Sequence, residues 1–71
     1  MSYNLYHVDC SDLSSAEIDA LLKRISAVAF MEPSPQNRNN TEFEFFLDSI
    51  QSEELLKGID FPEQCRLRQI R

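Results

Sequence analysis

The residues from 41 to 48 alternate between two kinds of side chain, and this alternation constrains the fold more than any other feature. Every second position is apolar: Phe43, Phe45 and Leu47. The positions between them are mostly acidic: Glu42, Glu44, Phe46 and Asp48. A period of two is typical of a strand with one face in the core and the other in solvent. We therefore predict an antiparallel sheet that is covered on one face, where the three apolar residues rest on a helix.

The segment that follows Leu13 predicts this helix. Ser14 and Glu17 form a capping-box pattern, in which each side chain hydrogen-bonds to the backbone amide of the other residue. Leu13 and Ile18 flank the cap at the spacing of a hydrophobic staple. Apolar residues then recur at helical spacing: Ile18, Leu21, Leu22, Ile25, Val28 and Ala29.

The end of the helix stays open between two alternatives. Helical spacing favours a helix that continues to about Phe30. In the second alternative the helix ends near Ile25, and Ala27–Met31 forms a short strand in a hairpin with residues 41–48. Residues 33–40 are predicted to be a loop, because they hold two prolines and three asparagines.

Three further elements complete the chain. Residues 3–10 read as a first strand, and because both of its faces carry apolar side chains, the strand is either central in its sheet or covered on one face by a partner. Ser49 or Ser52 is predicted to cap a short second helix, and Gly58 to end it in a left-handed conformation. Residues 64–70 form the last strand, with alternating faces: Cys65 and Leu67 on one side, Arg66 and Arg68 on the other.

These elements predict a small α+β fold in one domain, residues 1–71. An antiparallel sheet of three or four strands carries two helices on one face. The order is β-α-β-α-β, or the ferredoxin-like β-α-β-β-α-β if Ala27–Met31 is a strand. With 71 residues the chain is near the lower limit for a self-sufficient core. Such a topology says nothing by itself about function.

Charge and chain length exclude several classes of function. The net charge of −5 disfavours direct nucleic-acid binding, which requires a basic footprint. The N-terminus lacks the pattern of a signal peptide, and no apolar run is long enough to cross a bilayer. We therefore expect a cytoplasmic protein that does not bind membranes.

No catalytic, cofactor or metal motif is recognisable, so we expect neither an enzyme nor a cofactor. His7 is the only histidine, and Gly58 is the only glycine, which excludes a glycine-rich phosphate loop. Cys10 and Cys65 do not form a Cys-x-x-Cys pair. We interpret them as small buried thiols, and whether they pair in a disulfide stays open.

The residues left on the solvent side of the sheet form the candidate partner-binding site. An aromatic ring within a row of carboxylates can anchor a contact that the charges steer. The candidate residues are Glu42, Glu44, Phe46, Asp48, Tyr3 and His7. In an alternative interpretation Glu42 and Glu44 lie opposite Arg66 and Arg68 on a neighbouring strand. Such cross-strand pairs would make the acidic residues a source of stability.

Two functions follow from this surface. The first is a stoichiometric inhibitor or modulator of a protein partner, with a basic or nucleic-acid-binding surface as its target. Antitoxins, immunity proteins and the anti-restriction or anti-CRISPR proteins of phages and other mobile elements are of this type. The second is a small regulatory or assembly subunit that dimerises, or binds a small ligand, through its sheet face. A homodimer, formed edge to edge or face to face, is expected on the same grounds.

Overall fold

The computed structural model describes residues 2–71. It contains four strands and two helices, which are listed here in chain order: β1 (Tyr3–Asp9), α1 (Ser15–Ser26), β2 (Ser34–Pro35), β3 (Glu42–Asp48), α2 (Ser52–Ile59) and β4 (Arg66–Gln69). The predicted α+β fold, with an antiparallel sheet and helices packed against it, is confirmed.

The four strands form one sheet in the order β2-β3-β1-β4, and every pair of neighbours is antiparallel. This is the split βαβ arrangement of the ferredoxin-like order, because β1 lies between β3 and β4. The central position predicted for the first strand is confirmed. The register pairs His7 with Glu44 on one side and with Arg68 on the other.

The hydrophobic core lies between one face of the sheet and the two helices. The strands contribute alternate side chains: Tyr6, Val8, Phe43, Phe45 and Leu47. The helices contribute Ile18, Leu21, Ile25 and Ile59. Each large apolar side chain buried in this way stabilises the fold by about 1.5–3 kcal/mol. The Arg24 side chain also joins the two helices, since it donates hydrogen bonds to the carbonyls of Ile59 and Asp60.

The start of α1 is as predicted, and its end agrees with one of the two alternatives. The Ser14 side chain accepts a hydrogen bond from the amide of Glu17, and the Glu17 side chain accepts one from the amide of Ser14. The helix ends at Ser26, so it does not reach Phe30 and its end lies near Ile25, as in the second alternative. The strand that this alternative placed over Ala27–Met31 is wrong, because these residues form turns and bends. The chain leaves the helix because the Phe30 amide donates to the carbonyl of Phe46 on β3.

The second strand lies inside the segment predicted to be a loop. β2 has two residues and pairs with β3 at the edge of the sheet. Its Pro35 has no amide to donate, which an edge strand tolerates. The next amide, that of Gln36, donates to the carbonyl of Glu42 and extends the pairing.

Both ends of α2 differ from the prediction. Gln51 is the N-cap and makes no side-chain capping bond, whereas the Ser52 hydroxyl accepts a hydrogen bond from Asn4. Gly58 lies within the helix, and Asp60 adopts the left-handed conformation. The helix runs past Gly58 because Ile59, which is 1% exposed, packs in the core. The strand predicted over residues 64–70 is shorter, Arg66–Gln69.

Neither helix in residues 2–71 combines the length and the apolar character that a membrane crossing requires.

Candidate docking face

The side of the sheet that faces away from the helices is called the outer face here. On β1 it carries the side chains that alternate with the core residues Tyr6 and Val8. These side chains and their register partners make up the face: Tyr3, Leu5, His7 and Asp9 on β1; Glu42, Glu44, Phe46 and Asp48 on β3; Arg66 and Arg68 on β4. No helix covers them, so this face is available to a partner.

All six residues of the predicted partner-binding site lie on the outer face. The register brings them together on two adjacent strands, with Tyr3 beside Asp48 and His7 beside Glu44. Phe46 lies beside Leu5, a residue that the sequence prediction left out of the site. The alternation of side chains along β1 places Leu5 on the same face as Tyr3 and His7, and this signal is sufficient to include Leu5 in the predicted site.

His7 connects the two strands at the acidic end of the face. Its Nε2 lies 3.0 Å from a carboxylate oxygen of Glu42, and its Nδ1 lies 3.5 Å from one of Glu44. The imidazole side chain is only 12% exposed. The imidazole therefore lies within hydrogen-bond distance of both glutamates and links β1 to β3 on this face.

The proposed pairing of Glu42 and Glu44 with Arg66 and Arg68 is wrong. β1 separates β3 from β4, and strands two places apart lie about 10 Å from each other. In residues 2–71 the only carboxylates in ion-pair contact across strands are the two beside His7. Glu42 and Glu44 therefore contact a histidine, and the arginines of β4 do not pair with them.

The arginines of β4 stay exposed on the basic side of the face. Within the described part of the chain neither Arg66 nor Arg68 makes an ion pair. Hydrogen bonds from Ser11 lower the pKa of Asp9, and the nearby Arg66 adds a smaller effect in the same direction. Asp9 is thus ionised next to Arg66 without forming a close pair with it.

Charge is consequently separated across the outer face. We define the acidic row as Glu42, Glu44 and Asp48 on β3, and the basic row as Arg66, Arg68 and Arg71 at the opposite side of β1. Arg71 belongs to this row because β4 continues as a bulge: the amides of Ile70 and Arg71 both donate to the carbonyl of Leu5. β1 runs between the two rows.

An apolar patch lies next to these charges. Leu5 is 6% exposed although it is outside the main core. The rings of Tyr3 and Phe30 are in contact, with centroids 4.4 Å apart, and Phe30 remains 59% exposed. Met31 is equally exposed. Phe30 and Met31 belong to the turn after α1, and no sequence pattern places that turn beside the outer face.

Two shallow concavities interrupt this side of the molecule. The first, of about 260 Å³, lies between the two charged rows and is lined by His7, Asp9, Glu42, Arg66, Leu67 and Arg68. The second, of about 320 Å³, lies over the apolar patch and is lined by Leu5, Met31, Glu32, Ser34, Gln36, Glu44, Phe46 and Arg71. Both are open depressions that side chains of a partner can enter.

Among residues 2–71, no group of three or more histidine, cysteine, aspartate or glutamate side chains is arranged to hold a metal ion. Comparison of the chain with protein-family models, curated proteins and solved structures finds no match.

Proposed function

We propose that this protein acts by binding another protein chain through its outer face, without catalysis of its own. The observation that carries the proposal is the uncovered side of the sheet, where the exposed Phe30 and Met31 and the half-buried Phe46 adjoin an acidic row and a separate basic row. Exposed apolar surface of this kind, bordered by charge, is typical of docking surfaces.

The charges of the outer face favour a protein as the partner. Phosphate groups would be repelled by Glu42 and Glu44, and the chain as a whole carries a charge of −5. A protein can instead present cations opposite the acidic row and carboxylates opposite the basic row. Such complementarity raises the association rate and selects the partner and its orientation.

The partner is therefore expected to carry positive side chains at the spacing of Glu42 and Glu44. These two residues lie on the same side of one strand, about 7 Å apart. A stoichiometric inhibitor of an enzyme with a basic, nucleic-acid-binding cleft is one narrower form of this proposal. A subunit that associates with further copies of itself is another.

A capture experiment with paired variants tests the proposal. The wild-type protein is immobilised, exposed to a lysate of the source cells at low and at high salt, and the retained proteins are identified by mass spectrometry. The outer-face variant combines Glu44→Lys with Phe46→Ser. The control variant makes the same kinds of change on exposed residues outside the outer face, Ile50→Ser and Glu53→Lys.

We expect a retained protein that the control variant still binds and the outer-face variant loses. Its retention should weaken as salt rises, because exposed charge pairs are screened. Retention that is equal for both variants would contradict the proposal, since the binding surface would then lie elsewhere.

A further inference from the structure

We infer that the outer face fits a second copy of this chain, in a two-fold dimer whose axis runs parallel to β1. This inference rests on the proposed function, because it takes the outer face to be the docking surface. It adds the identity of the partner and the way in which the two faces meet.

The register of the sheet aligns the charged residues of neighbouring strands in lines that run across the strands, and each such line is called a level here. Glu42, Asp9 and Arg66 lie side by side on one level, because Asp9 pairs with both of the other residues. Glu44, His7 and Arg68 lie on the next level, two residues along β1. On each level a carboxylate of β3 and a guanidinium of β4 are equally distant from β1, on opposite sides of it.

A third level carries the apolar contacts. Phe46 pairs with Leu5, and the bulge at Ile70 and Arg71 lies on the other side of Leu5. Ile70 is 37% exposed. This level therefore presents an aromatic ring on the β3 side and an aliphatic side chain in the segment that extends β4.

A rotation by 180° about an axis parallel to β1 keeps each level and exchanges the two sides. When two outer faces are stacked in this way, β3 of one copy lies over β4 of the other. Glu42 then faces Arg66 of the second copy, and Glu44 faces Arg68 of the second copy. The symmetry forms every such pair twice, as an isologous interface requires.

The other simple arrangement is disfavoured by the same charges. An axis in the plane of contact but perpendicular to the strands stacks β3 on β3, which brings the glutamates of two acidic rows together. Like charges that face each other across an interface cost several kcal/mol. The charge pattern thus selects one stacking direction.

The middle of the interface would be apolar. β1 lies on the axis, where Leu5 is already buried at 6% exposure, and Phe46 lies over the bulge that contains Ile70 of the second copy. Stacked sheets pack about 10 Å apart and at about −30°, so the contact is closest at the central levels. Asp9 lies at the end of β1, where its carboxylate accepts a hydrogen bond from the Ser11 amide.

A dimer of standard size covers only part of the surface of this chain. A standard interface takes about 800 Å² from each partner, roughly a sixth of the 4926 Å² surface of the chain. The outer face, together with Phe30 and Met31 at its border, is the side of the molecule where uncovered apolar and charged side chains adjoin.

Complementary charge reversals test the inference. One variant carries Glu42→Lys and Glu44→Lys, and the other carries Arg66→Glu and Arg68→Glu. Each variant faces like charges in its own homodimer. In the mixed dimer, however, the lysines of the first variant face the glutamates of the second, and the unchanged rows also match. The dissociation constants are measured by sedimentation equilibrium of each variant alone and of the equimolar mixture.

We expect the wild-type chain to form a dimer, and the dissociation constant of each variant alone to be at least about 100-fold higher than that of the wild type. In the mixture the dissociation constant should return to within about 10-fold of the wild-type value. Reversal at Glu53 and Glu54 on α2 should leave the wild-type constant unchanged. Circular dichroism shows whether the reversed variants fold. If either does not fold, Arg66→Gln with Arg68→Gln replaces it, because these exposed side chains make no internal ion pair, and the wild-type dimer should weaken about 10-fold or more.

A wild-type chain that stays monomeric up to its solubility limit would overturn the inference. A mixture of folded variants that remains monomeric would overturn it as well, as would a dimer that the glutamine variant does not weaken. The capture experiment separates this failure from a failure of the proposed function. If the wild-type chain is monomeric but captures a different protein, and the outer-face variant loses that protein, the docking face is retained. The second copy is then excluded as its occupant.

Discussion

Cys10 and Cys65 are positioned so that exchange with oxidised glutathione should join them. Asp9 pairs with Arg66, so the next pair along the two strands is Cys10 with Cys65. Their sulfur atoms are 3.9 Å apart, and both thiols are free. The two backbones do not bond to each other there, because the Cys10 amide donates to Thr41 and the Cys65 amide to Pro62. Such non-hydrogen-bonded pairs have Cα atoms about 4.5 Å apart, within the range of disulfides.

The exchange should begin at Cys65. Burial raises the pKa of the Cys10 thiol to about 12, and it also raises the pKa of the half-buried Cys65. The Cys65 thiolate attacks the glutathione disulfide and releases one glutathione. Cys10 then attacks the sulfur of Cys65 in the mixed disulfide and releases the second. Two protein thiols are oxidised and one glutathione disulfide is reduced, so the reaction accelerates as pH rises and thiolate accumulates.

The gain in stability from the disulfide follows from the length of the loop that the bond closes. The two cysteines are 55 positions apart. A loop of this length should raise the free energy of unfolding by about 4 kcal/mol through the lost entropy of the unfolded chain. For a domain of this size that corresponds to a rise in Tm of roughly 20 °C.

The measurement compares reduced and oxidised protein by mass spectrometry and by thermal unfolding. A loss of two hydrogens, with no glutathione attached, identifies the internal bond, and Cys65→Ser is the control that cannot form it. A protein that keeps glutathione on Cys65 without closing the bond would refute the predicted geometry. A closed bond with no rise in Tm would refute the magnitude, since the strain of the bond would then offset the entropy.

Four further predictions concern stability. Gly58→Ala should raise the free energy of unfolding by about 0.5–1 kcal/mol in chemical denaturation, because Gly58 is helical and a β-carbon there meets nothing within 4 Å. Asp60→Ala should lower it, because Asp60 holds a left-handed φ of 58°. Ser14→Ala should cost about 1 kcal/mol through loss of the cap, whereas Ser15→Ala should be nearly neutral. Finally, the free energy of unfolding should fall as pH rises from about 9 towards 12, because the Cys10 thiol ionises first in the unfolded chain; in Cys10→Ala this slope should be smaller.

Elements whose signals are local were predicted well. The capping box at Ser14 and Glu17 specifies the start of α1 within four residues of sequence, and the structure has both of its bonds. The alternation along β3 likewise determines which side chains enter the core. Neither prediction needs information about distant parts of the chain.

Elements whose ends depend on tertiary contacts were predicted poorly. A glycine near the end of a helix usually marks its stop, but here Gly58 is helical and the next residue, Ile59, packs in the core. The helix therefore continues by one residue, and Asp60 takes the left-handed position. Ser52 has the chemistry of an N-cap, yet its hydroxyl bonds to Asn4 on β1 instead. In both cases a contact from another element outweighs the local preference.

The position of β4 decides what the charges on the outer face can do. The alternation of Arg66, Leu67 and Arg68 fits the edge of β3 as well as the edge of β1, so the sequence alone leaves internal charge pairing open. The edge of β3 is occupied by β2, and β4 takes the free edge of β1. Crossover connections return to a sheet in a right-handed sense. Because β1 lies between β3 and β4, these two strands run parallel. The arginines consequently lie two strands away from the glutamates and make no ion pair with them within residues 2–71, so that His7 contacts the glutamates and the proposed function assigns the arginines to an external partner.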